Sequence, residues 1–128
     1  MHTQQIRIRT GACRLDADGI FHITFDPGAQ ETLADAQEAM RAHTLLRAGR
    51  PCAVFVDMRQ LKSQDRDARQ FYGSPDIASA APAVALLVGS RVSQLIANFF
   101  VSVTKTSVPT RLFTDEAEAL AWLRGFQV

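Results

Sequence analysis

The chain has 128 residues, 47% of them hydrophobic, with 14 Lys+Arg against 13 Asp+Glu for a formal net charge of +1. That describes one domain, large enough to bury a core without disulfides or metal. A nucleic-acid binder carries a marked basic excess; this chain has none, so no nucleic-acid partner is expected, and the local Arg7, Arg9, Arg14 cluster reads as a solvated strand face. The start, MHTQQIRIRT, has no apolar core of signal-peptide length, and no apolar run approaches the length of a membrane span. A cytoplasmic protein without a transmembrane segment is therefore expected. Cys13 and Cys52 form no CxxC or Cys/His pattern and read as reduced, buried thiols.

Residues 4–15 alternate Ile6, Ile8 and Thr10 against Arg7 and Arg9, the period of a half-exposed strand, with a bulge expected where Gly11 shifts the phase. After the turn DADG, Phe21, Ile23 and Phe25 face one way and His22 and Thr24 the other, completing an antiparallel hairpin with one wet face. Thr32 and Asp35 form a capping box for a helix ended by Gly49 and Pro51. Its apolar stripe runs through Ala36, Ala39, Met40 and Leu46 and includes His43, which reads as a core or interface residue.

CAVFVDM is apolar enough to be a strand buried on both faces. Ser63 is placed to cap a helix through QDRDARQFY, and Ser74-Pro75-Asp76 to begin a short helical turn. AVALLVG, 83–89, is a second inner strand, followed by a helix from Arg91 to about Lys105. VPTRLF, 108–113, reads as a short strand whose Pro109 suits an edge or a strand start, and Thr114 as the cap of the helix DEAEALAWLRGF. The order β-β-α-β-α-β-α-β-α predicts a single α/β domain: a mixed sheet of about five strands with packed helices and right-handed parallel crossovers.

No GxGxxG, P-loop, HExxH or GxSxG motif occurs, and no metal-ligand spacing. No cofactor, metal or catalytic residue is assigned, and the expectation is that the chain is not an enzyme. Open α/β sheets bind ligands at the carboxyl edge of their strands. That edge should gather Asp57, Arg59, Gly89, Ser90, Arg91 and Thr114, with GSRVS feeding a helix N-terminus that favours an anion. The structural alternative is that Gly89 eases a turn, Ser90 caps the helix and Asp57 pairs with an arginine. In the helix RVSQLIANFFVSVTK, Val92, Leu95, Ile96, Phe99, Phe100 and Val103 form an apolar stripe. The opposite face carries Ser93, Gln94, Ala97, Asn98, Val101 and Ser102 and is small and neutral. Such a face suits packing against another surface, and Gln94, Asn98 and Val101 are the candidate interface of a homodimer.

VFVDMRQL, VALLVGS before a helix, and the ending RLFTDEAEALAWL resemble SpoIIAA-like or STAS/SEC14-like domains, most of all their short bacterial members, along essentially the whole chain. The resemblance implies a compact mixed-sheet α/β domain. Its relatives act as anti-sigma-factor antagonists, as parts of signalling complexes, or as binders of lipids and other small apolar molecules. In the antagonist branch a strand Asp precedes a D-S-S-G turn whose serine is phosphorylated. Here Asp57 matches the strand residue and Asp65 the motif's Asp, but Arg66, Asp67 and Ala68 follow, so serines and glycine are missing. Ser63 is the nearby hydroxyl on which a phosphate would sit at a helix start. Three functions are thus in play: a regulatory module that binds a protein partner in a signalling complex, a binder of a small apolar or anionic ligand, and an enzyme using Asp57 or His43 as general base.

Overall fold

The strand segment at the start of the chain turns back on itself in the computed structural model, which describes residues 4–74, 81–103 and 108–126, with backbone alone for 99–103. Strands β1 (Gln4–Ile8), β2 (Gly11–Leu15) and β3 (Phe21–Phe25) form an antiparallel meander, Ile8 standing opposite Gly11. The expected bulge at Gly11 is therefore a tight turn through Arg9 and Thr10. Gly11 is required there by a close approach: a Cβ would lie 2.0 Å from the Thr24 carbonyl oxygen.

Beyond β3 the chain gives β4 (Ala29–Glu31), β5 (Val54–Asp57), β6 (Leu61–Gln64), β7 (Val84–Leu87) and β8 (Thr110–Phe113). The main sheet is six-stranded in the order β1-β2-β3-β5-β7-β8, parallel from β3 onward. The mixed α/β architecture is the expected one, with more strands than the pattern showed. β8 closes one edge, where Pro109 costs no ladder bond. β4 and β6 pair with each other in a separate parallel two-stranded sheet.

Helix α1 (Leu33–Arg47) opens on the Thr32/Asp35 capping box and ends where Ala48 and Gly49 adopt positive φ. Asp35 also holds Arg9 from the meander's turn, with Nε to Oδ1 at 2.6 Å. Helix α2 (Arg66–Tyr72) is capped by Asp65, not Ser63, which lies exposed in β6 opposite Gln30. The cap expected of Ser63 fails because the chain is still extended there. The helical turn expected at Ser74-Pro75-Asp76 falls largely outside the described residues. Helix α3 spans Arg91–Val103 and α4 spans Glu116–Arg124, the latter capped by Asp115 in place of Thr114.

Two apolar layers sandwich the sheet. On one face Phe21, Ile23, Phe25, Val54 and Leu86 pack with Ala39, Ala42 and Leu46 of α1. On the other, Phe55, Ala85 and Leu87 meet Ala119 and Leu123 of α4. This second layer also reaches His22, which is buried against the Phe55 ring and bonded to Asp16 at 2.7 Å, contrary to the wet face expected for it.

Helix α3 departs from the sequence reading over its first two turns, although Ile96 of the apolar stripe does pack against the core. It buries the small residues Ser93 and Ala97, while Val92 and Leu95 are 47% and 60% exposed beside Gln94 and Asn98. Small side chains allow the helix to approach β6 closely, which its apolar stripe would prevent. Val101 belongs to the helix, but its side chain lies outside the described set, as do those of Phe99 and Phe100.

Candidate functional site

The strand ends converge as the alternation of strand and helix required. Asp57 is level with Leu87 in β7, and Leu87 with Phe113 in β8, so Gly89 and Thr114 leave the sheet at the rim that holds Asp57. Arg59 folds back on this rim. Its Nε and Nη2 donate to the two Asp57 carboxylate oxygens at 2.9 and 2.7 Å, and its backbone N–H adds a third bond to Oδ1 at 3.1 Å. Glu116 on α4 lies 3.5 Å from the same guanidinium, and the arginine stem runs across Gly89. Asp57, Arg59 and Gly89 are thus brought together, with their charges already matched.

Ser90 and Ser93 close the start of α3 reciprocally. The Ser93 N–H donates to Ser90 Oγ at 3.0 Å, while the N–H groups of Gly89 and Ser90 donate to Ser93 Oγ at 3.2 and 3.0 Å. Three amides of this turn, those of Gly89, Ser90 and Ser93, are engaged by the cap. Arg91 and Thr114 are exposed beside it. The rim geometry is that of a tied-off strand end and a capped helix.

A second place, absent from the sequence reading, lies under the sheet's α1 face. Glu31 ends β4 at 2% exposure, and its carboxylate accepts from Tyr72 Oη at 2.6 Å and from Gln64 Nε2 at 2.8 Å. Three short elements, β4, β6 and α2, supply these groups; none buries them without the others. Burial pushes the Glu31 carboxyl up from its ordinary value, against the downward pull of the Tyr72 and Gln64 bonds. Burial and then the neighbouring Glu31 charge hold the Tyr72 hydroxyl protonated well above its usual range.

The three residues line a cavity of about 80 Å³ whose other walls include Ile23, Val56, Met58, Met40 and Leu86. His43 completes the lining from α1, 3% exposed, with its ring edge-on to Phe21. Its Nε2 has no hydrogen-bond partner among the described residues, and neither has the Gln64 carbonyl oxygen Oε1. Burial, and then the charge of Arg47 one turn on, lower the His43 pKa to about 4, so the ring is neutral at neutral pH. Buried polar atoms are almost always paired. These two sit behind the surface of the cavity, which is almost wholly apolar.

Other reactive groups are held quiet. Cys13 and Cys52 are free and buried, and burial raises the Cys13 thiol to about 12. Among the described residues no cluster of His, Cys, Asp and Glu is placed to hold a metal ion, and no helix is long and apolar enough to cross a membrane.

A six-stranded mixed sheet with helices on both faces defines the class: the chain has a SpoIIAA-like fold. It superposes on the crystal structure of an uncharacterized DUF3478-family protein with a SpoIIAA-like fold from Shewanella loihica PV-4, with TM-score 0.60 and 15% identity over 95% of this chain and 92% of that one. By sequence, the chain belongs to the DUF7793 family, described as a domain of unknown function, whose pattern matches residues 13–127. A protein with unknown function from Arthrobacter sp. FB24 is similar in sequence, 34% identical over 92% of this chain and 95% of that one, at a TM-score of 0.36. No curated protein sequence matches the chain. The SpoIIAA-like resemblance thus holds for the fold, and the family is DUF7793.

Proposed function

We propose that the domain is a non-enzymatic receptor for a small apolar molecule, bound in the cavity between the sheet and helices α1 and α2. The observation that carries this reading is the cavity itself, whose surface is almost wholly apolar. Protein interiors are close-packed, and a void loses the contacts of its lining. A ligand that fills it recovers that loss, and small-molecule sites have this composition of apolar walls with a few polar groups. A receptor role is also supported by the state of the reactive groups. Glu31 is engaged on both oxygens, and an imidazole with a pKa of about 4 is a weak base.

Calorimetric titration with toluene tests the reading. Saturable binding is expected, with a rise in melting temperature equivalent to about 2.7 kcal/mol at a hundred times Kd. Ala81→Leu, which fills the cavity from its wall, should remove both. Equal binding by this variant would place the ligand elsewhere.

A second reading, self-association, is favoured by the exposure of Val92 and Leu95 next to Gln94 and Asn98 on α3. A regulatory domain that dimerises or docks a protein partner would use this face. Sedimentation should show a concentration-dependent dimer that Leu95→Glu dissolves; a monomer at all concentrations would end this reading.

A further inference from the structure

We infer that the Met40 side chain is the gate of the cavity, and that ligands pass it from a surface groove between helices α1 and α2. The inference rests on the receptor reading above and adds to it the route by which the site fills and empties.

Cavity and groove lie back to back. Met40 and His43 of α1 and Tyr72 of α2 line the cavity. Neighbouring positions on the same two helices, Arg41, Thr44 and Phe71, line the groove on the outer side, together with Met40. Among the described residues Met40 alone belongs to both linings, and it is half-buried where His43 is fully covered. A side chain that touches both spaces is the partition between them.

The wall on either side of Met40 is fixed. Helix α1 is held by its buried stripe of Ala36, Ala39, Ala42 and Leu46. Helix α2 starts on the Asp65 cap and is tied to the small β4–β6 sheet twice, by Tyr72 Oη on Glu31 at 2.6 Å and by Arg69 Nη1 on the Gln64 backbone carbonyl at 2.7 Å. The Met40 side chain has no polar tie. Methionine is unbranched, with three rotatable bonds, and its sulfur packs well on aromatic rings. It can therefore swing out of the cavity wall towards Phe71 while both helices stay in place. Such a gate acts on rates more than on affinity, because an open state speeds entry and exit together.

Exchange NMR on toluene, which reads koff, combined with the calorimetric Kd, which then gives kon, tests the gate in the wild-type chain and three variants. Met40→Ala removes the gate. A minor open state is populated to about 10% at most, so both rates should rise about tenfold or more, with Kd changing by much less than either. Met40→Ile, an independent variant should Met40→Ala fold poorly, keeps the bulk but is stiff at χ1, and both rates should fall. Val108→Ala, at the half-buried end of the lining beside β8, should leave both rates at their wild-type values. Rates unchanged in both Met40 variants, or raised by Val108→Ala as much as by Met40→Ala, would overturn the gate and leave the receptor reading standing. If toluene does not bind the wild-type chain, the receptor reading fails, and this inference with it.

Discussion

Tyr72→Phe is expected to lower the unfolding free energy at pH 7 by about 2–3 kcal/mol, although it removes a single oxygen atom. The size follows from what is left behind. Glu31 is 2% exposed and has its Oε2 satisfied by Tyr72 at 2.6 Å. Without the hydroxyl, a buried carboxyl group keeps Gln64 alone as a side-chain partner, and the penalty is that of a half-satisfied buried polar group. Burial already raises the Glu31 pKa and the Tyr72 bond opposes that rise, so the variant's carboxyl should titrate at higher pH than the wild type's. Whatever part of the deficit comes from the ionised carboxyl should then shrink as acid protonates Glu31. Urea denaturation of both chains at pH 7 and pH 5 reads the two effects. A loss below about 0.5 kcal/mol, the range of ordinary surface substitutions, would mean that the Glu31–Tyr72 bond does not hold β4 to α2.

Acid should destabilise the domain in the window from pH 6.5 down to about 4, with His43 contributing about 3 kcal/mol of the loss. The sign follows from proton counting. In the folded chain burial keeps His43 neutral until pH falls to about 4, whereas the unfolded chain protonates it near 6.5. Between these values the unfolded state binds the extra proton, so stability rises with pH; above 6.5 both states are neutral and the loss is absent. Burial also lowers the His22 pKa, despite the opposing bond to Asp16, and that residue adds to the same slope. His43→Leu separates them. It removes the titrating ring from an apolar wall, so the pH dependence over this window should flatten while the fold persists, leaving the opposed contributions of His22 and Glu31. An identical slope in His43→Leu would show that the ring is not buried neutral as described.

The parts of the fold legible in the sequence are those where one residue type determines one geometry. VFVD and VALL are largely apolar on both faces and are the middle strands of the parallel part of the sheet. Thr32 and Asp35 cap α1 as their spacing requires. Elsewhere the signal was shared between two structures. Alternation through residues 4–15 fits one bulged strand or two strands around a tight turn, and only the approach of Gly11 to Thr24 decides. AQE and LKSQ are too short and polar to announce strands; they are extended because they pair with each other across an intervening helix and strand. Amphipathic periodicity gave α3 an apolar face but not its direction. Close packing on β6 selected Ser93 and Ala97 for the interior and left Leu95 in solvent.

The candidate site divides in the same way. The rim residues were visible because strand ends follow from strand order, and the structure brings Asp57, Arg59 and Gly89 together, though as a matched ion pair over a glycine. The cavity was not visible. Glu31, Gln64 and Tyr72 stand 33 and 41 positions apart in the bonds that join them, a separation at which no motif exists. His43 was the one available pointer, a lone imidazole on an apolar stripe.

Carbon-13 methyl NMR during a phenol titration tests the central claim, that this cavity is a receptor site, most directly. Met40 and Met58 line the cavity, while Leu45 stands 72% exposed on the outer side of α1. Occupancy of the cavity requires saturable shifts of the Met40 and Met58 methyl signals with a common Kd, and no such response at Leu45. Methionine signals that stay fixed, or that drift linearly in step with Leu45 up to the solubility limit, would contradict it.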